Sequence, residues 1–248
     1  MIGAVALVDL DDTLFQTRRK CPPHLTNEQL TPLAFDRVGA PLGFATPRQA
    51  AFLRWLSDTA LVVPVTGRSL DALRRVHLPF AAAVCAHGGV VLGGDGLPDQ
   101  DWATTMRRAG DADAEPLHEL ADAIAATARR LCVPVTPRVL REDGIALYVV
   151  AKHADGDAAE LARVVDAAVP VLPAGWTGHR NGNNVALLPP WLGKRHAVEH
   201  LLPSLRRAWP DLPFIGIGDS LTDAAFMARC DFAMLPVGSQ LGTAIFDD

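Results

Sequence analysis

Four short stretches combine chemically reactive side chains with glycines that let a backbone approach a ligand. They are Asp9-Leu10-Asp11-Asp12-Thr13, Val65-Thr66-Gly67-Arg68-Ser69, Gly193-Lys194 and Gly218-Asp219-Ser220-Leu221-Thr222-Asp223. Aspartate is a poor strand former and costs free energy when buried. Two of the stretches nevertheless bring Asp, and a third brings Thr, to the ends of β-prone apolar runs at residues 2–8, 61–65 and 214–217. In an open α/β sheet, ligands bind beyond the carboxyl ends of the strands. Asp9, Asp11, Thr66 and Asp219 are therefore expected to converge on one crevice. Carboxylates gathered in this way need a cation, and an all-oxygen set suits Mg²⁺ with retained waters. The hydroxyl of Thr66 and the amides around Gly67 suit an anion such as phosphate. Lys194, at a helix start, adds the positive charge that a phosphoryl group requires. Each stretch alone reads as an ordinary cap or turn. The set, in this order and on these strand ends, does not.

The elements that must position these residues are legible around them. A further apolar run at 81–85 ends in His87-Gly88-Gly89. Thr46 followed by Pro47 reads as an N-cap and first helical position of a helix through about residue 57. Ser69 reads as the cap of a short helix through 76, and 193–209 carries Val198, Leu201, Leu202 and Leu205 at helical spacing. Strands alternating with helices predict an α/β, Rossmann-like parallel sheet. The middle differs. A helix over 115–131 precedes two strands, 133–140 and 145–152, around Glu142-Asp143-Gly144. A helix over 158–169 precedes two more, 175–180 and 183–188, around Asn181-Gly182. The expected organisation is a core of residues 1–93 and 190–248, with an inserted α+β domain at 94–189.

Composition narrows the classes. The chain has 248 residues, 49% hydrophobic and 21% charged, with mean hydropathy +0.16. Intrinsic disorder is excluded. A formal net charge of -5 argues against a broad basic face for nucleic acid. No apolar run approaches the ~18–20 residues that span a bilayer, and the apolar N-terminus lacks a basic leader. The expectation is a cytoplasmic protein with no nucleic-acid or membrane partner; the oligomeric state is left open. The scattered Cys21, Cys85, Cys132 and Cys230 form no Cys-x-x-Cys and are expected to be reduced, mostly buried small hydrophobes. His196 and His200 have an i,i+4 spacing but no third ligand, and read as surface positions of a helix.

The four stretches together resemble the motifs of the haloacid-dehalogenase-like (HAD) phosphohydrolase superfamily: Asp-x-Asp-x-Thr at 9–13, the strand-ending Thr66, Lys194, and the Gly-Asp motif from Gly218 to Asp223. An insert between the second and third motifs resembles the branch of Cof-type, sucrose-phosphate, trehalose-phosphate and mannosyl-3-phosphoglycerate phosphatases. The resemblance implies a HAD core with an α+β cap domain and a Mg²⁺-dependent phosphomonoesterase acting on a small phosphorylated metabolite, a sugar phosphate above all. It implies that Asp9 is the nucleophile and Asp11 the general acid and base. It implies that Asp9, the backbone carbonyl of Asp11 and Asp219 hold Mg²⁺, that Asp223 supports them, and that Thr66, Gly67 and Lys194 bind the phosphoryl group.

Some stretches depart from that pattern. His87-Gly88 stands where Asn-Gly is commoner. About thirty residues separate Thr13 from the helix at Thr46, and 33–44 reads as a hairpin around 36–40. Arg18-Arg19-Lys20 reads as a solvated basic run rather than a contact for an acidic substrate. Arg180-Asn181-Gly182-Asn183-Asn184 reads equally as a plain hairpin turn or as a sugar contact. Two rival functions remain: a phosphosugar mutase, which would need basic residues such as Arg138, Arg141 and Arg180 for a second phosphate, and a catalytically inactive binding or regulatory protein. Hydrolytic dehalogenation is disfavoured, because it does not require the acid at Asp11.

Overall fold

The computed structural model describes residues 2–246. The chain divides into two units, residues 1–99 with 194–248, and residues 100–193. In the first unit, β1 (Ala4–Val8) is followed by β2 (Gln16–Thr17), β3 (Thr31–Phe35) and β4 (Pro41–Ala45). Then come α1 (Pro47–Thr59), β5 (Ala60–Pro64), α2 (Leu70–Leu73), β6 (Ala83–Cys85) and β7 (Val90–Leu92). The second unit contains α3 (Gln100–Ala112), α4 (Ala114–Arg130), β8 (Val135–Glu142), β9 (Ile145–His153), α5 (Ala158–Ala168), β10 (Thr177–Arg180) and β11 (Val185–Leu188). The chain returns to the first unit with α6 (Lys194–Ala208), β12 (Phe214–Ile217), α7 (Leu221–Met227), β13 (Phe232–Met234) and α8 (Gln240–Phe246).

The first unit is built on a parallel sheet in the order β13-β12-β1-β5. Val5, Ala6, Leu7 and Val8 are fully buried, as suits a central strand covered on both faces. Thr46 caps α1, its side chain accepting from Gln49 N while Gln49 answers the Thr46 amide, a closed capping box. The expected helix after Ser69 stops at Leu73 rather than 76. The following residues pair with β3 instead: Phe35 N donates to Arg75 O, and His77 N donates to Leu33 O. The run at 81–85 supplies only a short strand. β6 pairs antiparallel with β7 and touches β5 through one parallel bridge, Val65 to Val84.

Between β1 and α1 the chain forms a small antiparallel sheet, β2-β4-β3, in which β3 and β4 make the expected hairpin. This insert is well packed. A Cβ at Gly43 would lie 2.8 Å from Phe15 Cδ2 and 2.9 Å from Ala34 Cβ. Gln49 donates to Gln16 Oε1 at 2.7 Å and so ties the insert to the capping box of α1.

The second unit has its own antiparallel sheet, β10-β11-β9-β8, with α4 and α5 on it. Leu117, Ile124, Val149, Leu161, Val164 and Val165 lie in its core. Asp143 (φ 48°) and Gly144 (φ 76°) make the tight turn between β8 and β9. Helix α3 is an addition to the expected helix–hairpin–helix–hairpin order.

Candidate active site

The sheet register sets the level of the site. Val8 lies opposite both Ile217 and Pro64. The next residues, Asp9, Gly218 and Val65, therefore leave the strands together. Asp9 N donates to Ile217 O, and Val65 N to Val8 O, both at 2.8 Å, carrying the ladder one step past the strands.

Asp9 is buried between two donors. Its Oδ1 accepts from Lys194 Nζ at 2.5 Å and its Oδ2 from the Thr13 hydroxyl at 3.2 Å. The Thr13 hydroxyl lies equally close to Asp219 Oδ1, also at 3.2 Å, so its single proton stands between the two carboxylates. Lys194 Nζ reaches Asp223 Oδ1 at 2.6 Å. The other oxygen of Asp223 accepts from the Ser220 hydroxyl at 2.7 Å, from Ser220 N at 3.1 Å and from Asp219 N at 3.3 Å. Asp223 thus braces both the lysine and the loop that carries Asp219. Gly218 permits this closure, because a Cβ there would sit 2.6 Å from Asp223 Cβ.

Among the described residues, Asp9, Asp219 and Asp223 each offer an oxygen within 4.8 Å of the others. Burial lifts the Asp9 carboxyl well above the usual range, with Asp223 and Asp11 adding and Lys194 opposing. Burial, then Asp223 and Asp12, push Asp219 up to about 6. Burial disfavours the Lys194 ammonium, but the Asp9 and Asp223 carboxylates outweigh it and raise its pKa. Asp223 is likewise opposed by burial, yet held low by Lys194 and Ser220. One ammonium among three crowded carboxylates leaves an excess of negative charge. The all-oxygen donor set and that excess fit a small divalent cation such as Mg²⁺.

Asp11 is turned elsewhere. Both of its oxygens accept from Arg68, Oδ2 from Nε and Oδ1 from Nη2, each at 2.7 Å. The guanidinium lies over the Phe15 ring, 5.1 Å from its centroid. Asp12, in the left-handed region at φ 67°, accepts from Lys20 at 2.5 Å. The basic turn at 18–20 is thus tied in: Lys20 holds Asp12, while Arg18 donates to Asn27 Oδ1 and Leu25 O. The sequence does not point to these contacts of Arg68, Thr13 and Lys20. Arg68 and Thr13 lie inside the quoted motifs, but no spacing shows which carboxylate each will meet.

Thr66 is fully buried, and its Oγ1 accepts from Arg68 N at 3.1 Å. Thr66 N donates to Val84 O, and His87 N donates back to Thr66 O. Ala86 (φ 51°) and His87 (φ 55°) are both left-handed, a conformation that costs a non-glycine residue roughly 1–2 kcal/mol. The structure thus joins Asp9, Thr13, Lys194, Asp219 and Asp223 in direct contact. Thr66 and Gly67 stand on the adjacent strand end, and Asp11 points to Arg68.

Other candidate positions are occupied by local bonds. Arg180 pairs with the Asp166 carboxylate. Asn183 Oδ1 accepts from His153 N, and its Nδ2 donates to His153 O, both at 2.8 Å. These contacts favour the hairpin reading of 180–184. His196 lies beside Glu199, whereas His200 meets Asp99, so the two share no ligand set. Cys21 and Cys85 are buried; Cys132 is exposed and Cys230 half-buried, so only two of the four fit the expected burial.

No family model matches the chain, and no curated protein matches it. Solved structures do. The sucrose-phosphatase of Synechocystis sp. PCC6803, solved with sucrose and phosphate, is 15% identical over 99% of this chain and 96% of its own, at TM-score 0.50. Protein 0175 of Thermoplasma acidophilum is 12% identical over 100% of this chain and 91% of its own, at TM-score 0.52. BT1666 of Bacteroides thetaiotaomicron, described among phosphatases of the haloalkanoate (HAD) superfamily, is 13% identical over 98% and 94%, at a TM-score of 0.43 that adds no weight. Among the described residues no helix is long and apolar enough to cross a membrane. The sucrose-phosphatase matches 99% of this chain's length, and with its parallel sheet the chain shares the fold of that enzyme.

Proposed function

We propose that this protein is a Mg²⁺-dependent phosphomonoesterase acting on a small phosphorylated metabolite, a sugar phosphate, through an aspartyl-phosphate. One observation carries the reading. Asp9 is held at the end of β1 between Lys194 and Thr13, with Asp219 and Asp223 beside it. That is a nucleophile placed where an ammonium can also meet a phosphoryl oxygen.

In this reading an oxygen of Asp9 bonds to phosphorus as the bond to the ester oxygen breaks. Asp11 gives its proton to the departing alcohol oxygen, then takes one from the water that hydrolyses the aspartyl-phosphate. Thr66, the Gly67 loop and Lys194 hold the phosphoryl oxygens. Asp9, the carbonyl of Asp11 and Asp219 would hold Mg²⁺, which when bound supplies charge neutralisation for the transferring group. Asp223 supports the site by fixing Lys194 and the Asp219 loop. Because Arg68 occupies both oxygens of Asp11, that fork must release an oxygen before the proton can pass.

We assign the inserted unit, expected at 94–189 and compact over residues 100–193, as the cap domain that chooses the substrate, and place the protein in the cytoplasm. The sugar-phosphate class rests on the resemblance and on the sucrose and phosphate bound by the Synechocystis enzyme. The mutase reading is weakened because two of its three basic candidates are engaged within their own unit. Arg180 pairs with Asp166, and Arg141 donates to Gly144 O and lies 2.9 Å from His118. Phosphate release from a panel of phosphorylated sugars, acids and nucleotides tests the assignment. Release concentrated on sugar phosphates supports it. Preference for another class overturns the substrate, and conversion of 1-phosphates to 6-phosphates restores the mutase.

A further inference from the structure

Histidine 87 is a buried residue that the mechanism above does not use. The chain after β6 runs through three successive left-handed residues, Ala86, His87 and Gly88, at φ 51°, 55° and 101°. Only the last is a glycine. Strain of this kind persists where surrounding bonds fix it, and it gathers at functional sites. Here the turn is bonded to the loop after β5. Thr66 N donates to Val84 O at 2.9 Å, His87 N to Thr66 O at 3.2 Å and Ala86 N to Arg68 O at 2.5 Å.

The left-handed pair carries the imidazole against Gly67. A Cβ on Gly67 would lie 2.5 Å from His87 Cε1 and 2.7 Å from Nε2. Gly67 is not itself in the left-handed region. Its missing side chain therefore reflects the ring beneath it and not backbone conformation. On its other side the 86–88 turn packs against α6, the helix that begins with Lys194. His87 thus stands between the two elements assigned to the phosphoryl group.

We propose that His87 is a positioning residue, whose ring sets the height of the Thr66-Gly67-Arg68 loop relative to Lys194 and so sets the affinity for the phosphoryl group. This rests on the phosphomonoesterase reading. It adds a role for the residue by which the chain departs from the commoner Asn-Gly.

The test uses the full chain with Mg²⁺ and inorganic phosphate as the probe, with affinity read by calorimetry and by inhibition of p-nitrophenyl phosphate turnover. His87→Asn keeps a side chain that tolerates the left-handed region but removes the ring. With the thermal midpoint retained, it is expected to weaken phosphate and raise KM by about tenfold while kcat changes less, a loss of binding more than of chemistry. Gly67→Ala is expected to damage phosphate binding when His87 is present. The pair Gly67→Ala with His87→Gly should recover part of that loss, because the ring that the new methyl meets has gone. Unchanged phosphate affinity in folded His87→Asn overturns the proposal. Equal damage by Gly67→Ala with and without the ring overturns it too. Failure of p-nitrophenyl phosphate turnover in the unaltered chain would instead strike the phosphomonoesterase reading, and calorimetry would still decide the part played by His87.

Discussion

Asp9 and Asp11 stand two residues apart and yet meet different partners, a lysine for the first and an arginine fork for the second. That division separates their expected losses. Asp11→Asn leaves Lys194, Thr13 and Asp219 around Asp9 but removes the proton carrier of the proposed mechanism. With an alkyl phosphate, turnover should fall by on the order of 10²–10⁴, the usual span for general acid–base catalysis. With p-nitrophenyl phosphate, whose leaving group needs little protonation, formation of the aspartyl-phosphate should suffer less than its hydrolysis. A burst of nitrophenol in stopped-flow would report this, and equal losses on both substrates would remove Asp11 from the acid role. The crowding of Asp219 gives a second prediction. Buried beside Asp223 and Asp12, its charge opposes folding, and the proposed cation would relieve it. In EDTA at neutral pH, Asp219→Asn should therefore melt several degrees above the unaltered chain. Adding Mg²⁺ should raise the midpoint of the unaltered chain and leave the variant nearly unmoved. A variant that melts lower in EDTA would show that Asp219 is not strained by its neighbours.

At the scale of elements, what the sequence revealed and what it hid have separate physical causes. Buried strands such as 2–8 and 214–217 and the Thr46-Pro47 cap are local patterns, and they were legible. Helix α3 was not. It buries only Trp102, Met106 and Gly110, a narrow stripe in which glycine is needed because a Cβ would lie 2.5 Å from Ala146 O. A glycine in that position reads as a break until the facing strand is known. The helix after Ser69 is shorter than its periodicity predicts for a related reason: pairing of residues 75 and 77 with β3 is a long-range choice that helical periodicity cannot express. Arg68 and Lys20 stand within legible stretches, but their carboxylate partners lie 57 and 8 positions away and depend on the same folding of the insert. The insert itself makes a further prediction. Gly43→Ala would press a methyl toward Phe15 and Ala34, whose atoms lie 2.8–2.9 Å from that point. Overpacking of this kind costs about 1–3 kcal/mol, which a urea unfolding curve would show as a lower midpoint. Because Phe15 supports Arg68, a loss of activity in the still-folded variant is expected as well. An unchanged midpoint would mean that the insert yields easily and does not brace the site.

For the whole molecule, the chain order and the spatial order answer one another. Motifs at residues 9, 66 and 219 are far apart in sequence, and the parallel register of β1 with β5 and β12 brings their strand ends to one level, where Lys194 joins them from the start of α6. The unit of 100–193 interrupts the chain just before Lys194, with which the chain returns to the first unit. The central claim is that Asp9 transfers a phosphoryl group with the help of a divalent cation. It is tested most directly by phosphate release from p-nitrophenyl phosphate, measured for the unaltered chain in EDTA, after Mg²⁺ is restored, and for Asp9→Asn with Mg²⁺. The account predicts no turnover in EDTA, recovery with Mg²⁺, and no turnover by a folded Asp9→Asn. Undiminished turnover after exhaustive chelation, or near-normal turnover by Asp9→Asn, would contradict it.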